Sequence, residues 1–193
     1  GERYKARLDF GQSRATGEIQ YHKDQDKQFR LDGNVTFAEL YMGDLNGGPA
    51  TLAGFAGFIS EIFTSTPDNA DADAQAIDLG GMPIKLDLKI ARLMAGERAI
   101  GHLTLPVEQR DNIVRIAPIS GVLTGGRITG DFVLNAKKSS AKLAFKAHIN
   151  DSNYTALQKT GGGKASVKGH ANLDIDLTAN GKTWPALRRN LNG

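Results

Sequence analysis

Apolar and polar residues alternate with a period of two over most of the chain, the spacing of β-strands that bury one face. Tyr4, Ala6, Leu8 and Phe10 fall on one side, with Arg3, Lys5, Arg7 and Asp9 on the other. The same alternation predicts strands over residues 15–22, 29–37, 82–90, 128–134, 143–149 and 167–179. The last of these would be roughly 40 Å long at about 3.3 Å per residue. A weaker strand is predicted near 99–107. A two-sided one follows over 112–124, where Val114 and Ile116 fall opposite Ile113. Turn-forming residues separate these runs at 23–26, 95–97, 109–111, 125–126 and 136–140. Connections this short favour antiparallel hairpins, because a parallel crossover needs a dozen residues or more.

Three segments break the rhythm. Residues 49–63 place Leu52, Phe55, Ala56, Ile59, Ile62 and Phe63 on one helical stripe. Gly54 and Gly57 weaken that helix by about 1 kcal/mol each relative to alanine. Without a basic polar face, packing on the sheet suits it better than lying on a membrane. Residues 153–159 could add one or two helical turns. Residues 183–191 predict a short helix, with Thr183 as cap, Pro185 in the first turn and Arg188 and Arg189 in the last. The chain therefore divides into amino-terminal strands with a helix near 50–63 (residues 1–64), an exposed loop (65–80) and a second run of strands (81–193).

The fold class is mainly β: an antiparallel, strongly curved or partly open sheet with two or three short helices. Eight or nine strands with one apolar face each need that face covered, and the helical segments are too few to cover it. The sheet can close into a sandwich, close into a barrel, or remain an open trough that holds apolar ligand.

Composition narrows the chemistry. The 24 basic and 21 acidic residues are interleaved along the chain, which is a solvated surface and not a nucleic-acid footprint. There is no cysteine, which excludes zinc-thiolate sites and thiol nucleophiles. No eighteen-residue apolar run or signal segment is present. His22, His102, His148 and His170 are far apart in sequence, and three sit on polar strand faces, which reads as solvated surface and not a metal site. Asp174 and Asp176 share a face as paired carboxylates would, yet strand alternation alone puts them there. Gly121, Gly125, Gly126 and Gly130 are followed by no Gly-Lys-Ser/Thr and read as turn glycines. No Gly-x-Ser-x-Gly occurs. The expectation is a protein without catalytic residues, cofactor or metal.

The stretch from Gly169 to Gly181, His-Ala-Asn-Leu-Asp-Ile-Asp-Leu-Thr-Ala-Asn between them, continues into Lys182-Thr183-Trp184-Pro185 and ends on Leu191-Asn192-Gly193. It resembles the AsmA-like family of bacterial envelope proteins, in which a long alternating strand, a "T-A-x-G" turn, a short helix and an "L-N-G" end recur. Residues 84–90, 119–130 and 142–151 also look like that family's strand order, so the resemblance covers about 82–193. It implies a periplasmic β-groove module, a fragment of a larger protein tethered to the inner membrane by a helix outside this chain. It also implies a role in phospholipid transport, or in outer-membrane assembly or homeostasis, with envelope proteins as partners and no nucleic acid. The groove candidates are the inward set Leu86, Leu88, Ile90, Phe132, Leu134, Phe145, Ile149, Leu173, Ile175 and Leu177. A sixteen-carbon acyl chain laid on such a surface would gain on the order of 10 kcal/mol before ordering costs, at about 0.8 kcal/mol per methylene. The rival expectation is a closed β-sandwich without a cavity, which docks a partner by strand addition at an edge.

Overall fold

The computed structural model describes residues 2–23, 29–47, 77, 83–136, 139–153 and 169–193. The predicted alternation becomes nine strands: β1 (Glu2–Phe10), β2 (Ser13–Lys23), β3 (Phe29–Tyr41), β4 (Ile84–Ala95), β5 (Arg98–Arg110), β6 (Ile113–Leu123), β7 (Gly126–Asn135), β8 (Ala141–Asn153) and β9 (His170–Gly181). They form one sheet in chain order, from β1 at one edge to β9 at the other. The two edges do not pair with each other. The sheet is therefore open, neither a barrel nor the second layer of a sandwich.

Seven of the eight strand pairs are antiparallel, and all of these but β8–β9, whose connection is sixteen residues long, are joined by short turns. The eighth corrects the all-antiparallel expectation: β3 and β4 run parallel, Leu31 beside Ile84 through Tyr41 beside Met94. The cause is the connection between them. It leaves Tyr41 through a 3-10 helix, Met42–Gly47, and is long enough to carry the chain back to the starting end.

The expectation of two or three helices is corrected as well. Among the described residues there is one α-helix, α1 (Trp184–Arg189), besides that 3-10 turn. It has the predicted cap: Thr183 Oγ1 accepts from Ala186 N at 3.3 Å, Pro185 sits in the first turn, and Arg188 and Arg189 occupy the last, where cations suit the helix dipole. Asn153, the proposed start of a second helix, is instead the end of β8, paired with His170. The helix near 50–63 and the rest of 153–159 lie outside the described residues, as does the 65–80 loop apart from half-buried Ile77.

Bulges interrupt the regular alternation on several strands. Register shifts fall between Ile90 and Leu93, Ile116 and Ile119, and Ile149 and Ser152, each inserting one extra residue. Such insertions increase local twist and let residues three apart face the same way. The bulge in β6 holds the cis Ala117–Pro118 bond and accounts for its two-sided look. Val114 and Ile116 precede it, and Ile119, Gly121 and Leu123 resume on the same face after it.

Candidate functional site

One face of the sheet is apolar across its full width. Pairing registers trace one row from Tyr4 through Ile19, Gly33, Leu86, Val107, Ile116, Phe132 and Phe145 to Leu177, one residue from every strand. A second row runs from Ala15 through Phe37, Ile90, Leu103, Gly121, Ile128 and Ile149 to Leu173. Cross-strand neighbours on one face are the unit of contact in a sheet, so these rows form one continuous apolar surface. Gly121 lies in the second row with φ +154, a conformation open to glycine, and a Cβ there would collide with the carbonyl of His102.

All ten sequence-predicted groove residues lie on this face, but in two different environments. Phe132 and Ile149 are 0% exposed, and Leu134, Phe145 and Ile90 are also buried. Leu86, Leu88, Leu173, Ile175 and Leu177 are half-buried, and the last three border that cluster. The first group is packed core and the second is surface that an apolar ligand could touch. The groove candidates leave out Leu103, Leu105, Val107, Ile116 and Ile119, and also Leu143, which the alternation places on this face; all belong to the same cluster. Most of them sit next to bulges in β5 and β6, where counting by twos fails.

The face grows wetter toward β1–β3. Among the described residues, Tyr4, Phe29 and Tyr21 are the large apolar side chains left exposed, at 54%, 48% and 38%. Tyr21 and Phe29 stack with ring centroids 5.1 Å apart, and Lys23 Nζ lies 5.5 Å from the Phe29 ring. At the other side α1 packs on β9 and β8, and its Leu187 is 0% exposed. Ile77, in the connection leading to β4, donates its N–H to Lys182 O at 3.1 Å and joins the cluster there. The chain entering β4 thus passes the end of β9, five strands away.

A carboxylate fastens the β1–β2 hairpin to the end of β3. Asp44 Oδ2 accepts from Gln12 N at 2.7 Å, Ser13 N at 2.8 Å and Ser13 Oγ at 2.7 Å. The buried Ser13 hydroxyl in turn accepts from Tyr41 N at 2.9 Å. Gly11, at φ +55, leaves room for the carboxylate, which any Cβ would strike. The Tyr41 hydroxyl donates to Glu39 at 3.2 Å; burial first, then that carboxylate, raise its pKa above 10.0. No motif announces this clasp, because its partners are about thirty residues apart.

The opposite face is polar and internally paired. Asp176 meets Lys146 at 3.1 Å, Asp174 contacts its cross-strand partner His148, and His170 Nδ1 lies 2.7 Å from Asp151 Oδ1. His22 lies 3.5 Å from Asp32. Asp174 and Asp176 are therefore members of a cross-strand charge ladder. Among the described residues no group of three or more potential metal ligands converges, and no helix is long and apolar enough to cross a membrane.

The strand order, the terminal β9–turn–α1 unit and the uninterrupted apolar face occur together with a family-wide sequence match: the model of the AsmA family matches residues 64–193, about two thirds of the chain. The chain belongs to the AsmA family. The match begins well before the strands that carry the sequence resemblance, and takes in Ile77, β4 and everything after it. No curated protein and no solved structure matches this AsmA-family chain.

Proposed function

We propose that this AsmA-family sheet is a non-catalytic module that offers its apolar face to the acyl chains of phospholipid, in the periplasm. The full-length protein would be tethered to the inner membrane and contribute to lipid transport and outer-membrane assembly together with envelope partners. The observation that carries this reading is the open sheet. Its apolar rows cross all nine strands and stay half-buried at Leu86 and Leu88 of β4 and along β5 and β9, where a closed sandwich would bury them against a second layer. A large accessible apolar surface is what an acyl chain needs and what an unliganded soluble protein avoids.

The test is organic extraction of the detergent-free protein followed by native and denaturing mass spectrometry. Stoichiometric phospholipid is expected, and it should be lost from Ile175→Asp, which places a charge among the half-buried residues of β9. Clean, monomeric wild-type protein, or a folded Ile175→Asp protein that keeps its lipid, overturns the reading.

A further inference from the structure

The apolar face is graded along its strands as well as across them. On β2, Ala15 is buried, Gly17 and Ile19 are half-buried and Tyr21 is exposed. Antiparallel β3 repeats the gradient in reverse, from exposed Phe29 through half-buried Leu31, Gly33 and Val35 to buried Phe37 and Leu40. On β4, Ile84, Leu86 and Leu88 are half-buried, and Ile90 and Leu93 are buried. The pairing registers set the dry members of the three strands together at one end and the wet members at the other.

The two ends also differ in charge. At the wet end Lys23, the register partner of Phe29, shares the apolar face with Phe29 and Tyr21, and its Nζ lies 5.5 Å from the Phe29 ring. His22, Arg30 and Asp32 alternate with these residues and so belong to the opposite face, where Asp32 meets both His22 and Arg30. At the dry end stands the Asp44 carboxylate of the β1–β2 clasp, and Arg92 is bound to Glu39 at 2.6 Å. An anionic group is therefore met by a cation at the wet end and by a carboxylate at the dry one.

We infer that a phospholipid lies along β2–β4 with its phosphate at Lys23, its ester region against Tyr21 and Phe29, and its acyl chains directed past the Val35–Leu88 pair toward Phe37 and Ile90. Aromatic rings and a lysine at the boundary between an apolar surface and water are the chemistry that holds proteins at the headgroup level of a bilayer. Here one face of the sheet carries that boundary, with apolar surface on its inner side. Eight residue steps from Phe29 to Phe37 give about 26 Å of strand. That exceeds the roughly 15 Å that acyl chains cover in one leaflet. The inference rests on the lipid reading proposed above and adds to it the site of the headgroup and the direction of the chains.

The test loads the 193-residue chain with phosphatidylcholine carrying a nitroxide either on the choline or near the end of an acyl chain, and reads the broadening of backbone amide signals by NMR. The headgroup label is expected to broaden Tyr21, Lys23, Phe29 and Leu31, and the chain label Val35, Phe37, Leu88 and Ile90. The reverse pattern, or the same residues broadened by both labels, overturns the inference while leaving the lipid reading standing. No broadening of this face by either label overturns the lipid reading, and the inference with it. A second measurement compares phosphatidylglycerol with diacylglycerol, which has the same tails and no phosphate. Lys23→Glu is expected to weaken phosphatidylglycerol about fivefold and to leave diacylglycerol within about twofold of the wild-type value. Equal effects on the two lipids, or none on either, also overturn the assignment of the phosphate to Lys23.

Discussion

Strands β6–β8 and strands β1–β3 carry the same alternation, yet the first group is dry, whereas the second is buried at Ala15, Phe37 and Leu40 and half in water at the end that holds Tyr4, Tyr21 and Phe29. Phe132 and Phe29 are both phenylalanines on the apolar face, one 0% exposed and the other 48%. Phe132 has paired strands on both sides and apolar cross-strand neighbours, Ile116 and Phe145. Phe29, at the start of β3, has Tyr21 and Lys23 for company. The same residue type in the same pattern thus acquires different work from its place in the sheet, which is why strand preference depends on context. The β6–β8 region holds the most fully buried side chains of the cluster, and one end of β1–β3 leaves large apolar side chains exposed.

The most severe way to break this contrast is Phe132→Ala. Truncating a fully buried aromatic ring should cost about 3–5 kcal/mol, read as a lower midpoint in urea unfolding with little change in slope. A cost below about 1 kcal/mol would mean that β6–β8 is not the packed core. Asp44→Ala comes next. It removes the acceptor of three hydrogen bonds and strands the buried Ser13 hydroxyl, for about 1–3 kcal/mol. Amide exchange should accelerate in β1 and β2 while β6–β8 hardly responds; uniform acceleration would show that the two regions open as one unit. Phe29→Ala should have the smallest effect, about 1 kcal/mol or less, since the ring is 48% exposed and its contacts among the described residues are with Tyr21 and Lys23. A loss comparable to that of Phe132→Ala would erase the distinction.

Much of the fold could be read from the chain because the signal was local. Leu143, Phe145, Ala147 and Ile149 alternate without interruption, and β8 is there with that face buried. The helix after β9 was legible from Thr183, Pro185 and the late arginines, since a cap acts within one turn. Where the alternation slips, reading by twos lost the thread: Ile116 and Ile119 are both buried though three apart, because the extra residue of a bulge lies between them. The parallel pairing of β3 with β4 and the Asp44 clasp were not legible, since both join positions dozens of residues apart through contacts that carry no sequence period. For the candidate site, alternation placed all ten residues on the apolar face. It did not separate buried Phe132, Leu134, Phe145, Ile149 and Ile90 from half-buried Leu86, Leu88, Leu173, Ile175 and Leu177, because coverage is a property of the whole sheet.

Strand order that follows chain order makes the sheet a ruler. Every antiparallel neighbour in β4–β9 is also the next strand in the sequence, so no connection there crosses another. Inserting one more hairpin would widen the apolar face by about 10 Å, two strand spacings, and would leave each existing pair where it is. In such an architecture the dimension of the surface is set by counting strands, and a chain can lengthen it by duplication without redesigning its core.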